Sequence, residues 1–173
     1  APVQQSVTIA NQAPIFNQDV LVYVPSGNSV RVGSSLDCYA NVSDPDGSSV
    51  TVDYIWTNGS SILKVDPGFE GGSVSYITLT QGNAKRDDLI RCQAIIYDPH
   101  GGQSERESAD AVVVNTPPII VSVGLIPLSP TTQDNLTCVP VSVDIDEDEI
   151  THQYTWSING NVIQTGSSNT LNG

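Results

Sequence analysis

The fold is decided by a stretch that occurs twice, as CYANVSDPDGSSVTVDYIW at residues 38–56 and as CVPVSVDIDEDEITHQYTW at residues 138–156. The two copies share a cysteine, two aspartates, a tyrosine and a tryptophan in one register: Cys38/Cys138, Asp44/Asp144, Asp46/Asp146, Tyr54/Tyr154 and Trp56/Trp156. Five matched positions of distinctive chemistry indicate an internal repeat. In each copy alternating apolar residues flank an acidic, turn-prone segment, a pattern typical of two β-strands joined by a loop.

The composition excludes some classes of partner. The 173 residues include 19 Asp plus Glu against 6 Lys plus Arg, which gives a net charge of −13. Because nucleic-acid binding depends on Lys and Arg neutralising phosphate charge, we expect no nucleic-acid partner. No apolar run reaches the roughly 20 residues that span a bilayer, so we also expect no membrane span. Ala1-Pro2-Val3 fits the mature end left after cleavage of a signal peptide.

Short β-branched segments separated by Gly, Pro, Asn and Asp predict an all-β fold, and helix signals are nearly absent. The predicted strands of the first copy are Val7–Ile9, Val20–Val24, Ser35–Asn41, Val50–Thr57, Val74–Thr80, Leu89–Tyr97 and Ala109–Val114. Those of the second copy are Ile119–Ile126, Leu136–Val143, Ile150–Ile158 and Asn161–Gln164. Alternation within these strands places one set of side chains, including the cysteines and tryptophans, on a common core face.

Proline-containing joins divide the chain into three parts. Asn11-Gln12-Ala13-Pro14 precedes the first copy and Asn115-Thr116-Pro117-Pro118 precedes the second. We therefore predict an N-terminal strand at 1–10, a first domain at 11–114 and a partial second domain at 115–173. Ser6-Val7-Thr8-Ile9 matches the segment before Asn115, as if it were the last strand of a preceding domain. The second copy reaches Gly173 before the position that would correspond to Cys92.

Two explanations remain open for a second copy that stops short of its later strands. Either the sequence is a piece of a longer repeat protein, or a neighbouring subunit completes the domain. In the second case the N-terminal strand is the natural donor, since an extended segment can add to an exposed sheet edge. Repeated head to tail, such strand addition builds a filament.

Cys38, Trp56 and Cys92 resemble the pattern of an immunoglobulin-like sandwich, in which strands B, C and F carry these residues. Together with the two acidic loops and the Asn-x-x-Pro joins, the chain resembles the tandem Ig-like or cadherin-like repeats of bacterial and archaeal surface proteins. The resemblance implies tandem antiparallel β-sandwiches, the second incomplete, and a location outside the cell or at its surface. Two features depart from the pattern, because the loop between Cys38 and Trp56 is long and Ile90 replaces the usual tyrosine.

The resemblance also implies a disulfide between Cys38 and Cys92, which suits an oxidising compartment. The alternative is a pair of reduced, buried thiols. Cys138 is left without a partner in the repeat pattern. It is either a buried thiol or bonded to another chain.

In the topology that the resemblance implies, the acidic loops and the joins gather at one end of each domain. Alternating hard oxygen ligands suit Ca²⁺, which takes 6–8 oxygens. The candidate ligands are Asn11, Asp44, Asp46 and Asp98 in the first copy, and Asn115, Asp144, Asp146 and Asp148 in the second. Neither loop has the spacing of an EF-hand. The competing interpretation is a solvated turn, since Asp-Pro-Asp-Gly is a good turn sequence.

No pattern in the sequence indicates catalysis. His100 falls in a predicted turn and His152 on a predicted strand, and neither has a nucleophile or metal-ligand motif around it. We therefore expect an extracellular structural protein that associates head to tail, with calcium stiffening its joints. The alternative is an adhesin segment that binds a glycan or a protein through residues 58–66 and Phe69. Three sequons, at Asn41, Asn58 and Asn135, are candidate glycosylation sites.

Overall fold

The computed structural model describes residues 3–173. The chain divides into two compact units, unit 1 at Ala1–Asn115 and unit 2 at Thr116–Gly173, and each is described by itself. The part of the chain that is described is all-β with antiparallel strand pairing, as the alternation of the sequence predicts. Within it, no helix has the length and apolar character needed to cross a membrane.

The described residues of unit 1 form ten strands. They are β1 (Ile15–Phe16), β2 (Leu21–Tyr23), β3 (Ser35–Tyr39), β4 (Val42–Ser43), β5 (Thr51–Asn58), β6 (Ser61–Glu70), β7 (Val74–Thr78), β8 (Leu89–Tyr97), β9 (Gln103–Glu107) and β10 (Ala111–Val112). One sheet has the order β2-β3-β7, and a larger one has the order β10-β8-β5-β6 with β9 also paired to β8. The short strands β1 and β4 pair with each other.

The core of unit 1 lies between these two sheets, because alternate residues of the central strands point to one face. Strand β5 buries Val52, Tyr54 and Trp56 completely, whereas the residues between them are half-buried. A disulfide between Cys38 of β3 and Cys92 of β8 joins the smaller sheet to the larger one. The core therefore contains the Cys38–Cys92 disulfide that the resemblance to an immunoglobulin-like sandwich implied.

Buried polar atoms of this core are hydrogen-bonded across the sheets. The indole Nε1 of Trp56 donates to Ser75 Oγ at 2.8 Å, and Ser75 Oγ donates in turn to Asp66 Oδ2 at 2.6 Å. The hydroxyl of Tyr54 donates to the carbonyl of Ser73 at 2.7 Å. These bonds matter because a buried donor without an acceptor costs about 1–3 kcal/mol.

Unit 2 contains five strands. They are β11 (Ile119–Ile126), β12 (Leu136–Val143), β13 (Tyr154–Ile158), β14 (Asn161–Gly166) and β15 (Thr170–Leu171). They form a sheet of order β11-β12-β15 and a two-stranded sheet of β13 and β14. All eight residues of β11 are exposed although six are Ile, Val or Leu, and Trp156 is the buried apolar side chain of this unit. Unit 2 thus repeats the first strands of unit 1, but most of the apolar side chains that would form its core are exposed to solvent.

Several strand predictions need correction. Val7–Ile9 is not a strand, because the described residues 3–14 form no strand pairing and the side chains of Val7 and Ile9 are 89% exposed. The predicted strand Ile150–Ile158 begins only at Tyr154. Strands β6 and β9 were not predicted, since their polar and turn-forming residues conceal the pairing. Residues 1 and 2 of the predicted N-terminal strand, including the proposed mature end, lie outside the described residues.

Candidate functional site

The first acidic turn connects β4 to β5 and is held by its own aspartate. Asp44 Oδ1 accepts the backbone N–H groups of Asp46 at 2.9 Å and Ser48 at 3.1 Å. Gly47 then closes the turn with a φ of 79°, a conformation that glycine adopts without a side-chain clash. The other carboxylate oxygen, Asp44 Oδ2, is buried without a hydrogen-bond partner.

Asp46 connects this turn to the segment that leads into unit 1. Its Oδ2 accepts the backbone N–H of Gln12 at 2.6 Å. The turn therefore fixes the peptide at which the chain enters the unit. The sequence placed Asp46 beside the join, but it did not show that the contact would be made by a backbone amide of Gln12.

Asp98 lies at the same end of unit 1 and is hydrogen-bonded to Asn11, the residue before Gln12 in the join. Asp98 is 8% exposed, and its carboxylate accepts hydrogen bonds from Asn11 Nδ2 at 2.8 Å, from the His100 N–H at 2.7 Å and from the Gly102 N–H at 2.9 Å. The hydrogen bond from Asn11 is the main cause that lowers the pKa of Asp98, and the two backbone N–H groups act in the same direction against the effect of burial. The structure thus brings together the four residues predicted at this end of unit 1.

This geometry predicts an acid-sensitive contribution to the stability of unit 1. Because the pKa of Asp98 is lowered on folding, its ionised form stabilises the folded state above the ordinary aspartate pKa. That contribution is lost as the pH falls through the lowered value. We expect the difference in unfolding free energy between the wild type and Asp98→Asn to shrink as the pH is lowered from about 6 to about 2. Urea titrations across this range measure it, and a difference that stays constant would contradict the assignment.

Gly102 makes the close approach to Asp98 possible. A Cβ at this position would overlap Asp98 Oδ2 and would lie 2.8 Å from Ala13 Cα. We expect Gly102→Ala to lower the unfolding free energy of unit 1 by about 2–3 kcal/mol, as overpacking typically does. Gly82→Ala is the matched control, because the nearest atom to its added Cβ is Thr80 Oγ1 at 3.7 Å. Equal effects of the two substitutions on urea denaturation would contradict this account.

The second acidic turn, between β12 and β13, repeats the geometry of the first. Asp144 Oδ1 accepts the N–H of Asp146 at 2.8 Å, and Asp146 Oδ2 accepts the N–H of Thr116. Thr116 follows its join asparagine as Gln12 does in unit 1. Glu147 stands at the position of Gly47 and has a φ of 61°, so a side chain is held here in the left-handed region that glycine favours.

Three carboxylates of the second turn could hold a cation. One oxygen from each of Asp144, Asp146 and Asp148 lies within 4.8 Å of the others, and the three side chains are half-buried. Asp146 Oδ1 is buried and has no hydrogen-bond partner. An oxygen in that position suits a metal-ion ligand, since carboxylates this close repel one another unless a cation lies between them. Asp44, Asp46 and Asp98 form no such group among the described residues.

Asn115, the remaining predicted ligand, has another contact. Its Oδ1 accepts a hydrogen bond from Arg86 Nη1 at 3.0 Å, within unit 1. The two histidines lie in different places of the fold. His100 is exposed in the turn after β8, and His152 Nε2 is hydrogen-bonded to Ser142 Oγ at 2.8 Å before β13 begins.

The surface predicted for an adhesin is not a loop. Residues 61–70 form β6, and Phe69 packs against the core with its ring edge-on to Tyr54 at a centroid distance of 5.7 Å. Phe69 is therefore a packing residue in this structure, because its ring covers part of the core.

The sequons differ in accessibility. Asn135 is exposed, whereas Asn41 and Asn58 are half-buried. The amide nitrogen of Asn58, the atom that would carry a glycan, donates to Asp88 Oδ2 and to the Asn83 carbonyl. Glycosylation of Asn58 would break these bonds, so Asn135 is the most accessible of the three.

Unit 2 also contains a cleft that the sequence did not predict. A cavity of about 370 Å³ opens between its two sheets and is lined by residues that include Ile120, Val123, Leu125, Cys138, Tyr154 and Trp156. The Cys138 thiol is free and half-buried. Trp156 Nε1 is buried without an acceptor, in contrast to the equivalent Trp56. The unmatched cysteine was one sequence signal for this cleft.

Comparisons with models of protein families, with curated proteins and with solved structures found no match.

Proposed function

We propose that this chain is an extracellular structural protein, a subunit or repeat segment of a surface filament or stalk, built from immunoglobulin-like β-sandwiches that associate head to tail. The observation that carries the proposal is the contrast between the two units. Unit 1 has a core closed by two sheets and a disulfide, whereas unit 2 exposes the apolar side chains of β11 beside an open cleft. Contiguous apolar surface of this kind is typical of protein–protein contact sites.

Secretion is part of the proposal. The Cys38–Cys92 disulfide suits an oxidising compartment, and the net charge of −13 suits a soluble surface that does not bind nucleic acid. We assign no catalytic role to the chain. Its function on this view is mechanical, since paired strands resist extension.

Calcium is the ion we propose for the second acidic turn. Asp144, Asp146 and Asp148 supply converging hard oxygens, and the buried Asp146 Oδ1 needs a positive partner. A bound ion would also hold the Asp146 carboxylate in place, and its other oxygen, Oδ2, accepts the hydrogen bond from the Thr116 N–H. It would in this way stiffen the joint at which the chain enters unit 2.

Calorimetric titration with Ca²⁺ tests the ion separately from assembly. We expect the wild type to bind Ca²⁺ and Asp148→Asn to lose most of that affinity. Glu149→Gln is the matched control, because it removes one charge from the same loop but lies outside the three-carboxylate group. No heat of binding with the wild type would reject calcium as the ligand, and equal affinity of the two variants would reject the three-carboxylate group as its site.

Self-association tests the structural function. Sedimentation velocity and electron microscopy of the whole chain, with millimolar Ca²⁺ and with chelator, should show linear assemblies that grow with protein concentration. Val123→Asp should abolish assembly because Val123 lines the cleft. Val121→Asp is the matched control: Val121 is equally exposed on β11 but does not line the cleft, so this variant should still assemble. Monodisperse particles of the wild type under every condition would reject the proposal and favour an adhesin segment that binds a glycan or a protein ligand.

A further inference from the structure

Comparison with unit 1 shows that one strand position in unit 2 is unfilled. In unit 1, β5 has β6 on one side and β8 on the other, and β8 supplies Cys92 to the core. In unit 2, β13 pairs with β14 on the side that corresponds to β6. Its other edge pairs with no strand among residues 116–173, all of which the structure describes. We call this the open edge of β13.

The open edge borders the cleft of unit 2, so a strand added there would cover apolar surface. The cleft is lined by consecutive residues 152–157, and by Val123 and Leu125 of the facing sheet, which are 60% and 47% exposed. An unpaired edge beside exposed apolar residues is a site to which an extended segment adds. The occupant needs apolar side chains at alternate positions, as β8 has in unit 1 with Ile90, Ala94 and Ile96 buried.

The N-terminal segment has that pattern. We call residues 3–9 the donor segment; they are exposed and belong to no strand in the single chain. Val3, Val7 and Ile9 are each 89% exposed, and in a β-strand they would lie on one face with Gln4, Ser6 and Thr8 on the other.

We propose that the donor segment of one copy adds, antiparallel, to the open edge of β13 in a second copy and takes the place that β8 occupies in unit 1. This inference deepens the head-to-tail assembly proposed above and depends on it. The apolar face of the segment would close the cleft. Its backbone would pair with the free N–H and C=O groups of β13.

The repeat also fixes a register. In unit 1, Trp56 is paired with Cys92 and Tyr54 with Ala94. Placing Val3, Gln5, Val7 and Ile9 at the positions of Ile90, Cys92, Ala94 and Ile96 sets Gln5 opposite Trp156 and Val7 opposite Tyr154. The inward series then has one polar member, Gln5, beside the residue whose indole N–H lacks an acceptor.

Gln5 suits this position chemically. Its side-chain carbonyl can accept the hydrogen bond that Trp156 Nε1 cannot make in the single chain. The same register brings Gln5 to the position of Cys92, next to Cys138, which stands where Cys38 does in unit 1. In unit 1 these two positions are 6.3 Å apart between Cα atoms, a separation that a disulfide spans.

Cysteine cross-linking tests this register in the whole chain. In Gln5→Cys, diamide should oxidise the new thiol of one copy and Cys138 of the next to a disulfide, with the diamide reduced. Because each copy carries one donor and one acceptor, non-reducing gels should show a series of dimers, trimers and longer chains. Ser6→Cys is the matched control, since its side chain faces outward, and it should give no such series.

The background variant Cys138→Ser distinguishes the proposed disulfide to Cys138 from a disulfide between the introduced cysteines of two copies. Gln5→Cys combined with Cys138→Ser should lose every species larger than a dimer, because only the introduced thiols of two copies could then pair. If the wild type assembles but Val3→Cys, Gln5→Cys and Val7→Cys all fail to cross-link to Cys138, this inference is overturned while the proposed function stands. If the wild type remains a monomer at every concentration, both fail.

Discussion

Removing the disulfide, as Cys38→Ala with Cys92→Ala, should lower the free energy of unfolding of unit 1 by about 4 kcal/mol in the chain-entropy model. The bond closes a separation of 54 residues and joins β3 to β8, the central strands of the two facing sheets. Without it the unfolded chain regains the freedom that the cross-link removes. Because domains of this size are stable by only about 5–15 kcal/mol, the loss is a large fraction of the total.

Urea denaturation of the single-tryptophan protein Trp156→Phe measures this loss, since Trp56 then reports on unit 1 alone. Cys138→Ala in the same background is the control, because Cys138 is a free thiol of unit 2 and should leave the transition of Trp56 unchanged. A change of under about 1 kcal/mol in the double variant would mean that unit 1 does not depend on the cross-link.

The sequence was most informative for strands that bury one face. The predicted bounds of β8, β11 and β12 are confirmed, because alternating or continuous β-branched residues mark each of them between clear turn signals. Strand β6 was missed because Pro67 and Gly68 have the character of a turn. In the structure a register shift opposite Val52 and Tyr54 accommodates these two residues, and the Gly68 N–H donates to Asp53 Oδ1 at 2.7 Å.

The acidic turns were found from the sequence, but their partners were not. The topology that the resemblance implies placed Asp46 and Asp146 beside the joins. It could not show that each carboxylate accepts a backbone N–H, from Gln12 and from Thr116, since a backbone amide has no signature in the sequence. For the same reason the pairing of Asn115 with Arg86 could not be predicted, as it depends on how distant strands meet.

The sequence predicted an exposed sheet edge in the second copy, but not that it would be the edge of β13. A period of two identifies which residues face a core, but it does not specify which strand lies beside another. The internal repeat compensates for this, because unit 1 shows which neighbours the equivalent strand needs. Comparing Trp56 with Trp156, which differ in the partner of their indole N–H, is therefore more informative than either residue alone.

Trp56→Ala should be at least as damaging to unit 1 as the loss of the disulfide, at about 3–5 kcal/mol of unfolding free energy. The side chain is fully buried on β5 at the centre of the core, and its removal leaves a cavity between the two sheets. It also leaves Ser75 Oγ without its indole donor. Ser75→Ala should account for the polar part of the effect, at about 1–3 kcal/mol. It leaves the buried indole N–H of Trp56 without its acceptor while the indole ring stays in place.

Hydrogen exchange of the amides of β8 measures this effect, since these amides exchange by opening of unit 1 and need no tryptophan. The remaining Trp156 reports on unit 2 in the same protein, and its urea transition should stay where it is in the wild type. Equal exchange of β8 in Trp56→Ala and Ser75→Ala would contradict the cavity argument, because it would leave the hydrogen bond as the whole contribution. Under this account the apolar packing of the indole contributes more than its N–H, so closing the cleft around Trp156 should stabilise unit 2 more than supplying an acceptor alone.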